Sequence, residues 1–102
     1  MGEYVPAVGA SELAEGSMVA VDPKGVRIIL SRFGGEVYAV SGTCTHEEFD
    51  LGHGFLMEDR VVCPLHLSQF VLKTGEVLNP PATEPLKSFN VKIQDGTIFV
   101  EV

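Results

Sequence analysis

An all-β domain is predicted for this chain by three observations: apolar residues alternate with polar ones almost wherever a pattern is clear, glycine-containing pairs punctuate the alternating runs, and helical spacing is scarce. At the C-terminus Phe89, Val91 and Ile93 alternate with Asn90, Lys92 and Gln94, and Ile98, Val100 and Val102 follow beyond Asp95-Gly96, which predicts a tight hairpin. A second hairpin is predicted over 26–33 and 36–40, joined by Gly34-Gly35, a pair that accepts the positive φ such turns demand. A third runs over 69–72, then Lys73-Thr74-Gly75, then 76–78. Residues 4–8 and 18–22 read as shorter strands flanking 11–16, a linker that holds one helical turn.

Between Val40 and Gln69 the alternation stops, broken by Gly42, Gly52, Gly54 and Pro64, and both cysteines and all three histidines fall inside this stretch. It reads as a site grafted on a scaffold. Farther on, Asn79-Pro80-Pro81-Ala82 lacks an amide donor at both prolines and is expected to be a stiff loop.

A chain of 102 residues is one domain long and leaves no room for a second lobe. This favours a carrier or binding module, with a single domain expected over 1–102 and the grafted site over about 42–69. Fourteen acidic residues against seven basic ones give a formal charge of −7, which repels nucleic acid and anionic lipid and suits a protein partner with a basic docking patch. The N-terminus shows no secretory pattern and no apolar run reaches the roughly 20 residues of a membrane span, so a cytoplasmic location is expected.

The chemistry lies in Cys44-Thr45-His46, then sixteen residues, then Cys63-Pro64-Leu65-His66: two loops, each offering one thiolate and one imidazole. A binuclear iron-sulfur core needs four terminal ligands, two for each iron, and this set supplies them. A closed tetrahedral zinc site also takes two Cys and two His, but such sites space their ligands by two or more residues, whereas Cys44 and His46 have one residue between them. A disulfide satisfies the cysteine count alone, and nucleophilic catalysis by Cys63 leaves the matching pair on the other loop without a purpose.

This C-x-H and C-x-x-H pattern, with the Gly54-Phe55-Leu56 stretch, Thr74-Gly75, Asn79-Pro80-Pro81 and a closing strand pair, resembles the Rieske ferredoxins, in particular the ferredoxin components of bacterial aromatic-ring-hydroxylating dioxygenases. The resemblance covers nearly the whole chain. It implies three antiparallel sheets, a small cluster-binding subdomain made by the two ligand loops, and a proline loop over the cluster's third side. It also implies one [2Fe-2S] cluster held by Cys44, His46, Cys63 and His66. The implied function is that of a monomeric one-electron carrier without catalysis of its own, passing electrons from an NAD(P)H-dependent flavoprotein reductase to a terminal oxygenase in aromatic hydrocarbon catabolism. The competing reading is a Rieske-like small subunit of an assimilatory nitrite reductase.

Respiratory Rieske proteins add a cysteine to each loop and join them by a disulfide. Here Leu65 stands at the second such position and Phe49 near the first, so apolar packing is expected to hold the loops together. Ser68 matches a serine that donates to a cluster sulfur in the high-potential branch, while Phe70 replaces that branch's tyrosine. The resulting expectation is a midpoint in the lower half of a range of about −150 to +300 mV, falling as pH rises through the pKa values of the bound histidines. His53 is expected to be a solvent-facing loop residue without a ligand role, and Glu47, Glu48 and Asp50 either an ordinary solvated loop or a recognition patch.

Overall fold

The computed structural model describes residues 2–43, 50–64, 67–79 and 84–102. Among these, ten strands follow in chain order: β1 (Tyr4–Gly9), β2 (Met18–Val21), β3 (Ile28–Phe33), β4 (Glu36–Ser41), β5 (Phe55–Met57), β6 (Arg60–Val62), β7 (Gln69–Val71), β8 (Ser88–Phe89), β9 (Val91–Gln94) and β10 (Thr97–Glu101). The helical content of the described residues is three single 3-10 turns, at Ala10–Glu12, Pro23–Gly25 and Leu51–His53. All pairings are antiparallel and make three sheets, ordered β1-β10-β9, β2-β3-β4-β8 and β5-β6-β7.

The four-stranded sheet is the middle layer. Its strand β3 carries Ile28, Ile29 and Leu30 in succession, all fully buried, because successive side chains leave a strand on opposite faces and here both faces are covered. Ile28, Leu30 and Ala39 pack with Leu13, Ile98 and Val100 under the first sheet. Ile29 and Val40 pack on the other face with Leu51, Val61, Cys63, Phe70, Leu72 and Leu86. Each such buried aliphatic side chain contributes about 1.5–3 kcal/mol. The second of these cores reaches into the stretch that carries the cysteines and histidines.

The hairpins at Gly34-Gly35 and Asp95-Gly96 form as expected, with φ of 65° and 82° in the first pair and 52° and 75° in the second, the positive values a two-residue turn between right-twisted strands demands. A carboxylate stabilises the first: Glu15 accepts from the Gly34 and Gly35 amides at 2.6 and 2.9 Å.

Four details differ from the sequence reading. Strand β3 begins at Ile28 rather than Val26, because the turn at Pro23–Gly25 captures the Val26 amide on the Pro23 carbonyl at 3.0 Å. The third hairpin shrinks to a single bridge, Phe70 opposite Val77. The strand expected across Phe89 and Ile93 divides at Asn90, so that β8 pairs with β4 in the middle sheet and β9 with β10 in the first. The fourth is the hairpin of β5 and β6, which lies inside the stretch that carries no alternation; its strands are three residues each and its turn is Glu58-Asp59, without glycine and with Glu58 at φ 55°.

Candidate metal centre

The proposed ligand Cys63 lies among the described residues, whereas Cys44, His46 and His66 lie outside them. What the structure shows is how the roots of both loops are fixed.

Around 44–49, Thr43 and Asp50 face each other in an isolated bridge, and the Leu51 amide donates to the Gly42 carbonyl at 2.8 Å. The Gly42 amide donates in turn to the Arg27 carbonyl at 2.9 Å. A Cβ on Gly42 would stand 2.6 Å from Arg27 Cγ, so glycine is what admits the side chain of Arg27 here. That side chain grips Asp50 with two donors, Nε to Oδ1 at 3.3 Å and Nη2 to Oδ2 at 2.5 Å, while Nη1 reaches Asp22 at 2.9 Å. Asp50 Oδ1 also accepts from the Gly52 amide at 2.8 Å, which starts the turn at Leu51–His53, and Leu51 plugs into the core. Asp50 is therefore a lock at the foot of the first loop rather than part of a freely solvated acidic patch. Glu47 and Glu48 lie outside the described residues. His53 is solvent-facing, its side chain 74% exposed and 3.9 Å from Asp50.

From Leu51 the chain turns through Gly54 into β5, where Phe55 pairs with Val62, the residue before Cys63. The exit of the first loop thus lies beside the start of the second. Gly54 makes this possible, since a Cβ there would stand 2.2 Å from the Val62 carbonyl oxygen.

Cys63 is buried to 2% exposure at the end of β6. Its amide donates to the Ser68 carbonyl at 2.9 Å and its carbonyl accepts from the Leu67 amide at 2.8 Å, so Cys63 is clamped by main-chain bonds to Leu67 and Ser68. Leu67 takes the left-handed φ of 61°, uncommon for a branched apolar residue. Ser68 is buried, whereas Leu67 is 58% exposed. The Asn79 side chain reaches this clamp from a third direction, accepting from the Gln69 amide at 2.7 Å and donating to the Leu67 carbonyl at 3.2 Å. The four-residue segment 80–83 that follows lies outside the described residues.

A donor set of two thiols and two imidazoles, with one of the cysteines buried and clamped, fits a mixed-ligand two-iron cluster. Sequence reasoning missed Arg27 and the bonding role of Asn79. Arg27 stands 23 positions from Asp50 and carries no local signal, whereas Asn79 is placed by its neighbours Pro80 and Pro81, which cannot donate to a sheet.

The Arg27 guanidinium, with the Gly52 amide, holds the Asp50 carboxyl below the usual carboxylate range against the opposing effect of burial. A group whose native pKa lies below its unfolded value of about 3.9 adds stability above that value and loses it as pH falls through the native one. Asp50→Asn is accordingly expected to unfold more easily than the parent at pH 7, with the gap closing below about pH 4. Thermal unfolding followed by far-ultraviolet circular dichroism checks this, and an equal gap at both pH values would contradict it.

Comparison with known proteins bears on the family of the chain. Residues 3–90 match the model of the Rieske [2Fe-2S] domain. The 3-phenylpropionate/cinnamic acid dioxygenase ferredoxin subunit of Escherichia coli (strain K12) is 39% identical over 93 residues, which are 90% of this chain and 87% of that one. The ferredoxin of carbazole 1,9a-dioxygenase from Nocardioides aromaticivorans IC177 superposes with a TM-score of 0.89 at 29% identity, covering 95% of each chain. A chain in a solved complex of reduced oxygenase and oxidized ferredoxin of carbazole 1,9a-dioxygenase does so with a TM-score of 0.90 at 31% identity, covering 96% of this chain and 92% of that one. By its domain match over most of its length and by this degree of identity, the chain belongs to the Rieske [2Fe-2S] domain family.

Proposed function

We propose that this chain is the ferredoxin of an aromatic-ring-hydroxylating dioxygenase system, taking single electrons from an NAD(P)H-dependent flavoprotein reductase and delivering them to a terminal Rieske oxygenase. Its cofactor is one Rieske-type [2Fe-2S] cluster, which supplies a one-electron couple. Cys44 and Cys63 hold one iron and His46 and His66 the other. A single domain spans 1–102, with the cluster-binding part at about 42–69. The work is done in the cytoplasm, by a monomer; no helix among the described residues is long and apolar enough to cross a membrane.

The observation that carries this reading is the difference in exposure between Cys63, at 2%, and Leu67, next in sequence to His66, at 58%. Cys63 is rooted in the core and Leu67 is open to a partner. With Leu78, 48% exposed, Leu67 offers apolar contact where a docking protein needs it. The formal charge of −7 favours a partner with a basic face. Electron transfer then needs little rearrangement, because both loop feet are tied into sheets. The nitrite reductase subunit is disfavoured, since the similar proteins are named as ferredoxins of dioxygenase systems.

Iron and acid-labile sulfide analysis with electron paramagnetic resonance of the reduced protein tests the proposal. Two irons, two sulfides, a Rieske-type signal and a midpoint in the lower half of the range of about −150 to +300 mV are expected. Colourless protein, or one zinc without sulfide, would overturn it.

A further inference from the structure

We infer that Asn79 is a positioning residue for the second ligand loop, holding the backbone beside His66 through its side-chain amide; this rests on the reading of His66 as a cluster ligand.

Beyond β7, the segment ending at Leu78 pairs with it by main-chain bonds: the Val71 amide donates to the Glu76 carbonyl at 2.9 Å and the Leu78 amide to the Gln69 carbonyl at 2.9 Å. The ladder then meets Pro80 and Pro81, which have no N–H. The Gln69 amide finds its acceptor in Asn79 Oδ1 at 2.7 Å, so a side-chain carbonyl stands where the next main-chain carbonyl of a continuing strand would be. The other end of the same amide, Nδ2, donates to the Leu67 carbonyl at 3.2 Å. Leu67 has a positive φ that a branched side chain adopts at a cost. Its amide is tied to the Cys63 carbonyl and its own carbonyl to Asn79, so both main-chain polar groups of this left-handed residue are held, one by the cysteine root and one by the segment that leads into the prolines. The backbone orientation handed to His66 is thereby coupled to Asn79. Aspartate at this position keeps the acceptor for Gln69 but loses the donor for Leu67, and alanine loses both.

The test compares the purified holoprotein with Asn79→Asp and Asn79→Ala. Asn79→Asp is expected to release the cluster to a chelator about two- to tenfold faster, the loss of one hydrogen bond, and Asn79→Ala, which loses two, at least as fast; both are expected to show a displaced midpoint potential and altered g-values. Hydrogen exchange at the Gln69 amide is expected to rise in Asn79→Ala and not in Asn79→Asp. If Asn79→Ala does not fold, Asn79→Asp alone decides, since it retains the strand contact. Parental release rate, potential and g-values in Asn79→Asp would overturn the inference. A parent protein without iron would overturn the reading of the site instead, while the exchange at Gln69 still reports the clamp.

Discussion

Cys63→Ser is expected to purify without iron, sulfide or visible absorption, and to unfold at a lower temperature than the parent. Two effects act at this one atom. A thiol loses its proton near pH 8.5 and more readily against a metal, whereas a serine hydroxyl does not ionise in this range and makes a poor ligand for iron-sulfur centres, which are held by thiolates. Cys63 is also 2% exposed in the core that holds Val40, Val61 and Phe70, so the smaller serine also gives up some of the thiol's packing there. Both effects lower stability, since a group bound only by the folded chain stabilises it, and for a domain near 100 residues each kcal/mol lost lowers the melting temperature by about 4–8 °C. Cys63→Ala is expected to behave alike: it also lacks the cluster and melts below the parent. Iron and sulfide analysis with thermal unfolding of both variants is the measurement. A serine variant carrying the parent's full iron and sulfide would remove Cys63 from the ligand set.

What the sequence made legible was chemistry carried by local signals. Gly34-Gly35 and Asp95-Gly96 announced their hairpins because few other residues tolerate both positive φ values, and the family was readable from the cysteine-histidine pattern because so few residue types bind iron-sulfur centres. Contacts between distant residues were not. Asp50 read as a solvated or docking carboxylate because Arg27, its partner, sits 23 positions upstream, and nothing in the order of residues says that the two meet at the foot of a loop. The β5–β6 hairpin escaped for a different reason: three-residue strands are too short to show a period, and Glu58-Asp59 offers no turn glycine. Neither of these features binds the cofactor, yet they bring the two loop feet side by side.

Gly75→Ala is expected to destabilise the protein by about 2–5 kcal/mol, the sum of two separable costs. The first is conformational: Gly75 has φ of 80°, where an L side chain costs about 1–2 kcal/mol. The second is steric, because an added Cβ would stand 2.1 Å from the Leu86 carbonyl oxygen and 2.8 Å from its carbon. These are backbone atoms and cannot rotate away. The Leu86 amide donates to the Gly75 carbonyl at 2.8 Å and the Gly75 amide to Val71 at 2.7 Å, so the two segments are tied at the point of the clash. Relief requires moving Leu86, 3% exposed in the core that holds Cys63, Phe70 and Leu72, and such overpacking costs about 1–3 kcal/mol more. Gly16→Ala is the control: its φ is 77° but an added Cβ meets nothing within 4 Å, so only the conformational cost applies. Denaturant unfolding of the two variants against the parent isolates the steric part as their difference. Because Leu86 is where the chain re-enters the core after the proline segment, Gly75→Ala is also expected to lose its cluster faster than Gly16→Ala. Equal stability of the two variants would show that the approach of Gly75 to Leu86 does not constrain this part of the fold.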